Sequence, residues 1–231
     1  MNTGDQINAF MAKGIEAFKR KRYDEAIEAF QEAYNLANDQ EILNLIDMAK
    51  NAKSIQEQEY QAAANEAKQR ANILGIKVED VDKAIAEYAD ALKNNPNDDS
   101  AKNNLASAYY IRGVTFTSKG EHDKAIADYS NAIKYEPNYP HALNKRGQEY
   151  SANCDFDKAI ADFEELLRLN PNHETAKGFL SGAYLGRGAA YDKNGDYTRA
   201  IPDFEKVLEL EPDNNTAREL LEMAKAEMAK S

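Results

Sequence analysis

The segment Asp-Lys-Ala-Ile-Ala-Asp followed by an aromatic residue occurs twice, from Asp123 to Tyr129 and from Asp157 to Phe163. Looser copies run from Asp24 to Phe30, Asp82 to Tyr88 and Thr198 to Phe204. Their central alanines, Ala26, Ala84, Ala125, Ala159 and Ala200, stand 58, 41, 34 and 41 residues apart. Self-similarity at a period of roughly 20–50 residues restricts a chain to a solenoid or an array, in which each unit buries its apolar face on the next.

One unit reads as a helical hairpin. Ala125 has Gly113 twelve residues before it, Tyr129 four after, Ala132 seven after and Pro137 twelve after. The next unit repeats this as Gly147, Ala159, Phe163, Leu166 and Pro171, and the last as Gly188, Ala200, Phe204, Val207 and Pro212. The first unit has Gly14, Ala26, Phe30 and Ala33, with Asn38 in place of the Pro. Small residues let two helices approach closely and the aromatic fills the space beside them. Pro with Asn or Asp ends the second helix. An Asp or Thr two residues before each alanine falls in a first helical turn, where it can cap the helix or oppose the dipole.

This pattern resembles the tetratricopeptide repeat family over about Asn8 to Asn214. It departs from the family at Leu166 and Val207, where a small residue is usual. It also has Cys154 where Gly120 and Gly195 end the first helix of their units. Pro202 lies inside a second helix, and is tolerated if that helix starts near Thr198. The resemblance implies an all-α, right-handed superhelical solenoid of five helix-turn-helix repeats with a C-terminal capping helix. The repeats fall at about 7–40, 54–98, 99–139, 140–173 and 174–213, with an extra helix at 41–53 and the cap at 214–231.

The spacings of 41 lengthen two first helices by seven residues, which keeps the same face toward the neighbours to within about 20°. The spacing predicts continuous helices over 99–119 and 174–194. Both follow a similar opening, Pro96-Asn-Asp-Asp-Ser100-Ala-Lys102 and Pro171-Asn-His-Glu-Thr175-Ala-Lys177, and Pro212-Asp-Asn-Asn-Thr216-Ala-Arg218 repeats it before the cap. Ser54-Ile-Gln-Glu57 has the form of a capping box, so a helix start is expected there. Ile42, Leu45, Ile46 and Ala49 then line one face of the extra helix. The rival reading is one unbroken helix from about 40 to 74, since that stretch holds no Gly or Pro. Leu45-Ile-Asp-Met-Ala-Lys50 also parallels Leu220-Leu-Glu-Met-Ala-Lys225 in the cap.

Acidic residues outnumber basic ones, 40 to 29, for a net charge of −11, which argues against sequence-independent binding of nucleic acid. No apolar run approaches the ~18 residues of a membrane span. Met1-Asn-Thr-Gly-Asp-Gln lacks a basic-then-apolar leader, and the single Cys154 fits a reducing compartment, so a cytoplasmic location is expected. His122, His141 and His173 share no metal-ligand spacing. Cys154 stands beside Asp155 with no adjacent Lys or Arg to activate it. Nucleophile-elbow and phosphate-loop patterns are missing. The expectation is no enzyme, no cofactor and no metal.

Arg112, Arg146 and Arg187 each precede a core Gly, and Asp128, Asp162 and Asp203 follow them sixteen residues later. Three structural ion pairs are expected across the hairpins. The resemblance places a partner-binding groove on the first helices. Its candidate residues are Asn65 and Gln69 in the second unit, and Asn103, Tyr110 and Val114 in the third. The fourth unit supplies His141, Asn144 and Gln148, and the fifth Leu185. Side-chain amides both donate and accept, so they can hold an extended backbone, while Tyr110 and Leu185 form side-chain pockets. Met11, Ile15 and Phe18 mark the same face in the first unit. Some family members clamp a partner's C-terminal carboxylate with Lys, Asn and Arg across three units. The nearest set here, Asn65, Lys68, Asn104, His141 and Lys145, is scrambled. The expected function is a non-enzymatic scaffold for a peptide or helix of a partner protein. The alternative is a self-assembling structural protein with homo-oligomer contacts through the long helices or residues 41–74.

Overall fold

Each glycine of the repeat meets the aromatic of its own unit. A Cβ on Gly14 would lie 2.5 Å from the Phe30 ring. One on Gly113 would lie 2.7 Å from Tyr129, on Gly147 2.7 Å from Phe163, and on Gly188 2.8 Å from Phe204. All four aromatics are at most 1% exposed, so each hairpin closes on a ring that has nowhere to move.

The computed structural model describes residues 3–19 and 22–229, and these form eleven α-helices. They are α1 Thr3–Lys19, α2 Tyr23–Ala37, α3 Gln40–Ile73, α4 Val81–Asn94, α5 Asp99–Ser118, α6 His122–Tyr135, α7 Pro140–Ala152, α8 Phe156–Leu169, α9 Glu174–Lys193, α10 Tyr197–Leu210 and α11 Asn215–Met228. A 3₁₀ turn, Val78–Asp80, precedes α4. No strand occurs among the described residues. The fold is an all-α helical-repeat solenoid. α5 and α9 run unbroken for 20 residues each, the lengthened first helices that the wider spacing requires. No helix among the described residues is long and apolar enough to cross a membrane.

The chain forms two compact units, residues 1–66 and 67–231. In the first, Ala17, Ala26, Phe30, Ala33, Ile42, Ile46 and Ala49 make one core. In the second, the same spacing of buried residues opens three helices. They are Ala101, Leu105 and Ala108 in α5, Ala176, Leu180 and Ala183 in α9, and Ala217, Leu221 and Ala224 in α11. Ile42, Ile46 and Ala49 of α3 are the matching trio of the first unit, so α3 begins as a lid on α2 much as α11 lids α10. The Pro-Asn and Pro-Asp openings lead into sharp starts. Asp98, His173 and Asn214 cap their helices, each accepting from the amide of the alanine three residues on, at 2.9, 3.2 and 3.0 Å. Such a cap contributes about 1 kcal/mol.

Two expectations are corrected. α3 does not break at Ser54. Residues 40–73 contain neither Gly nor Pro, and a capping box has no orphan amides to serve inside a continuous helix. Pro202 lies outside the unpaired first turn, because α10 starts at Tyr197 and the Ala200 amide already donates to the Asp196 carbonyl (3.0 Å). The proline therefore removes a helical bond, on the exposed side of α10 where solvent reaches the freed carbonyl.

The first helices of the later hairpins end on left-handed residues: Gly75, Gly120 and Gly195 at φ 68° to 73°, and Cys154 at φ 58°. Only Cys154 carries a Cβ there, which costs about 1–2 kcal/mol. Cys154→Gly should therefore raise the stability of the chain by about 1 kcal/mol in chemical denaturation, and an unchanged midpoint would refute that strain.

Candidate functional site

Beneath the first helices lies a set of ion pairs. Arg112 grips Asp128 through Nε and Nη2 at 2.7 Å each and reaches Asp82 of the preceding hairpin with Nη1 at 2.6 Å. Arg187 repeats this with Asp203 (2.8 and 2.7 Å) and Asp157 (2.6 Å). Arg146, on the shorter α7, grips Asp162 at 2.8 and 2.7 Å and donates to Ser130 Oγ at 3.0 Å. The three expected pairs thus exist as bidentate forks, and two lengthened helices add a second carboxylate. Hydrogen bonding to Asp128, aided by Asp82, holds the Arg112 guanidinium above its ordinary range, and Asp203 with Asp157 does the same for Arg187. In the first unit Lys53 of α3 meets Asp24 of α2 at 2.7 Å.

These forks leave other faces of the first helices free to present side chains. On α7, Asn144 and Gln148 are half-buried, and Gln148 Nε2 donates to Asn144 Oδ1 at 3.1 Å. His141 at its start is exposed, as are Asn103 of α5 and Gln69 of α3, and Leu185 of α9 is half-buried. Charge is divided between the helices. α7 carries one carboxylate, Glu149, which is buried, whereas α8 carries four, Asp157, Asp162, Glu164 and Glu165.

Two of the expected groove residues are buried. Tyr110 is 0% exposed and Val114 3%, so neither is a contact surface. Tyr110 instead packs at ring-centroid distances of 5.3 Å from Tyr139, 5.8 Å from Tyr129 and 6.2 Å from His141. The Arg70 guanidinium lies 5.5 Å from the Tyr110 centroid and 5.0 Å from that of Tyr139. This cluster ties the end of α3 to α5 and α7, and is a floor under the surface. Beside it, burial pushes the Glu136 carboxyl up, against the pull of Arg70 and His141. Asn65 is exposed on α3, one turn before Gln69. Tyr139 and Arg70 are the residues that sequence reasoning missed. The one signal was an aromatic at the N-cap before Pro140.

The first unit presents a different surface. Ile15 of α1 is 42% exposed, and on α3 Met48 is 56% and Ile55 50% exposed. In register with the buried trios, Met48 and Ile55 match Gly182 and Ala189 of α9. The face carries large apolar side chains here and small residues on α9. Among the described residues no group of three His, Cys, Asp or Glu is placed to hold a metal ion.

Family models described as tetratricopeptide repeat match residues 7–40, 140–173 and 181–214, and one described as TPR repeat matches 113–153. Together these segments span more than half of the chain. Among solved structures, the first TPR domain of the human RPAP3 protein is 28% identical, over 54% of this chain and 93% of that one, at a TM-score of 0.35. The Arabidopsis OM64 TPR domain is 23% identical over 54% and 98%, at 0.37. The TPR2AB domain of yeast Sti1, solved in complex with pHSP90, is 20% identical over 96% and 99%, at 0.33. These TM-scores are too low to carry a functional inference. Among curated proteins none matches the chain.

Proposed function

Because the chain belongs to the tetratricopeptide repeat family, we propose that it is a non-enzymatic scaffold that holds an extended segment of a partner protein on the first helices of residues 67–231. The observation that carries this reading is the Asn144–Gln148 pair, two part-exposed amides in mutual contact on a helix whose one carboxylate is buried. Amides so placed offer donors and acceptors at once to a peptide backbone. Gln69, Asn103 and His141 extend the polar surface, and Leu185 adds an apolar contact. The partner is a protein or peptide, and cytoplasmic residence is part of the same proposal.

The test is a titration of a partner recovered by pull-down. Asn144→Ala should weaken its binding by about 0.5–1.5 kcal/mol, the value of one neutral hydrogen bond. Lys124→Ala on the outer α6 should leave binding unchanged. Loss of binding in the Lys124 variant with none in the Asn144 variant places the partner on the second helices instead.

The exposed Ile15, Met48 and Ile55 favour a second reading, self-association through the first unit. A mass that stays monomeric at high concentration removes it.

A further inference from the structure

Four of the five second helices begin on an apolar or aromatic residue: Tyr23, Val81, Phe156 and Tyr197. α6 begins on His122. Its Nδ1 lies 2.7 Å from Glu149 Oε2 on α7, and Glu149 Oε1 accepts from Thr117 Oγ1 at the end of α5 (2.6 Å). Thr117 Oγ1 in turn lies 3.0 Å from Tyr129 OH on α6. The Glu149 side chain is 7% exposed and that of His122 41%. One buried carboxylate thus joins the third hairpin, α5 with α6, to the first helix of the fourth.

The other buried carboxylates at these helix contacts, Asp128, Asp162 and Asp203, each face a guanidinium, which keeps its proton at any physiological pH. The cation facing Glu149 is an imidazole, whose charge changes near neutrality. We propose that His122 and Glu149 form a pH-operated latch between the third and fourth hairpins, closed by the imidazolium and loosened as the imidazole loses its proton.

The neighbouring groups fit this assignment. From α5 the carboxylate receives the Thr117 hydroxyl, and on α6 the Tyr129 hydroxyl supports that threonine. Asp123 beside His122 adds to the attraction for the imidazolium. Glu121, at the N-cap of α6, is held by Lys124 and lies in the field of Lys119. The hydrogen bond to Glu149 raises the His122 pKa above its ordinary value, while burial opposes it. A raised pKa in the folded state means that the pair stabilises fully below the unfolded value of about 6.5, and that this contribution is lost as pH rises through the folded value. Gln148 of the amide pair is the chain neighbour of Glu149, so the latch sits next to the proposed peptide surface. It does not depend on what that surface binds.

The experiment is an NMR pH titration of the His122 ring in the full chain, with thermal melts at pH 6 and pH 8. The latch predicts a His122 midpoint above about 6.5 that moves down in Glu149→Gln. It also predicts a melting-point fall from pH 6 to pH 8 that exceeds the fall in His122→Phe by about 2–4 °C. Phe at this position matches Phe156 at the start of α8, and Glu149→Gln keeps a hydrogen-bonding group for Thr117, so each variant checks the other if one fails to fold. An identical His122 midpoint in the parent and Glu149→Gln, or equal falls in the parent and His122→Phe, overturns the latch.

Discussion

Arg146→Ala should destabilise the second unit by about 3–5 kcal/mol, because it leaves a buried carboxylate with no cation. Asp162, its bidentate partner, has a side chain only 6% exposed, and that of Arg146 is 19% exposed. Burial pushes the Asp162 carboxyl up, and the hydrogen bonds and charge of the Arg146 guanidinium oppose it. Asp162→Ala should cost less, since Arg146 keeps Ser130 and some solvent. The double variant should be less damaged than the sum of the singles. Chemical denaturation of the four proteins checks this. Simple additivity would mean that the fork contributes no coupling.

Gly147→Leu should cost about 3 kcal/mol, the upper end of overpacking, since even a Cβ at this position would lie 2.7 Å from the buried Phe163 ring. The sharper comparison uses alanine. A mid-helix Gly→Ala change ordinarily gains about 1 kcal/mol. Gly182 of α9, where an added Cβ would meet nothing within 4 Å, should show that gain. Gly147→Ala should show a loss. Thermal or denaturant midpoints that shift in the same direction for both would refute the close helix contact.

The residues that were legible in the sequence are those whose partners lie inside one hairpin. A glycine twelve residues before an alanine and an aromatic four after it are enough to place Gly147 on Phe163, because both helices and the turn are local. The Arg-Asp forks were legible for the same reason, at a separation of sixteen residues. What was not legible depends on contacts between hairpins. Tyr110 occupies a register position that faces outward in an isolated hairpin. It is buried because Tyr139 arrives from the turn before α7 and Arg70 from the end of α3. The His122–Glu149 bond spans 27 residues and has no counterpart in another unit from which its spacing could be read. α3 continues through Ser54 because no breaker interrupts it, and a capping-box motif alone does not start a new helix. The candidate surface was legible only as a helix face. Which of its residues are exposed had to come from packing.

The most direct test of the scaffold account is site-specific photo-crosslinking of the full chain in a lysate of its source. A photoreactive residue is placed at Asn144 in one protein and at Lys124 in another. The account predicts a discrete heterologous adduct from position 144 and none from position 124. Adducts from position 124 alone would contradict it, as would adducts from position 144 that contain only a second copy of this chain.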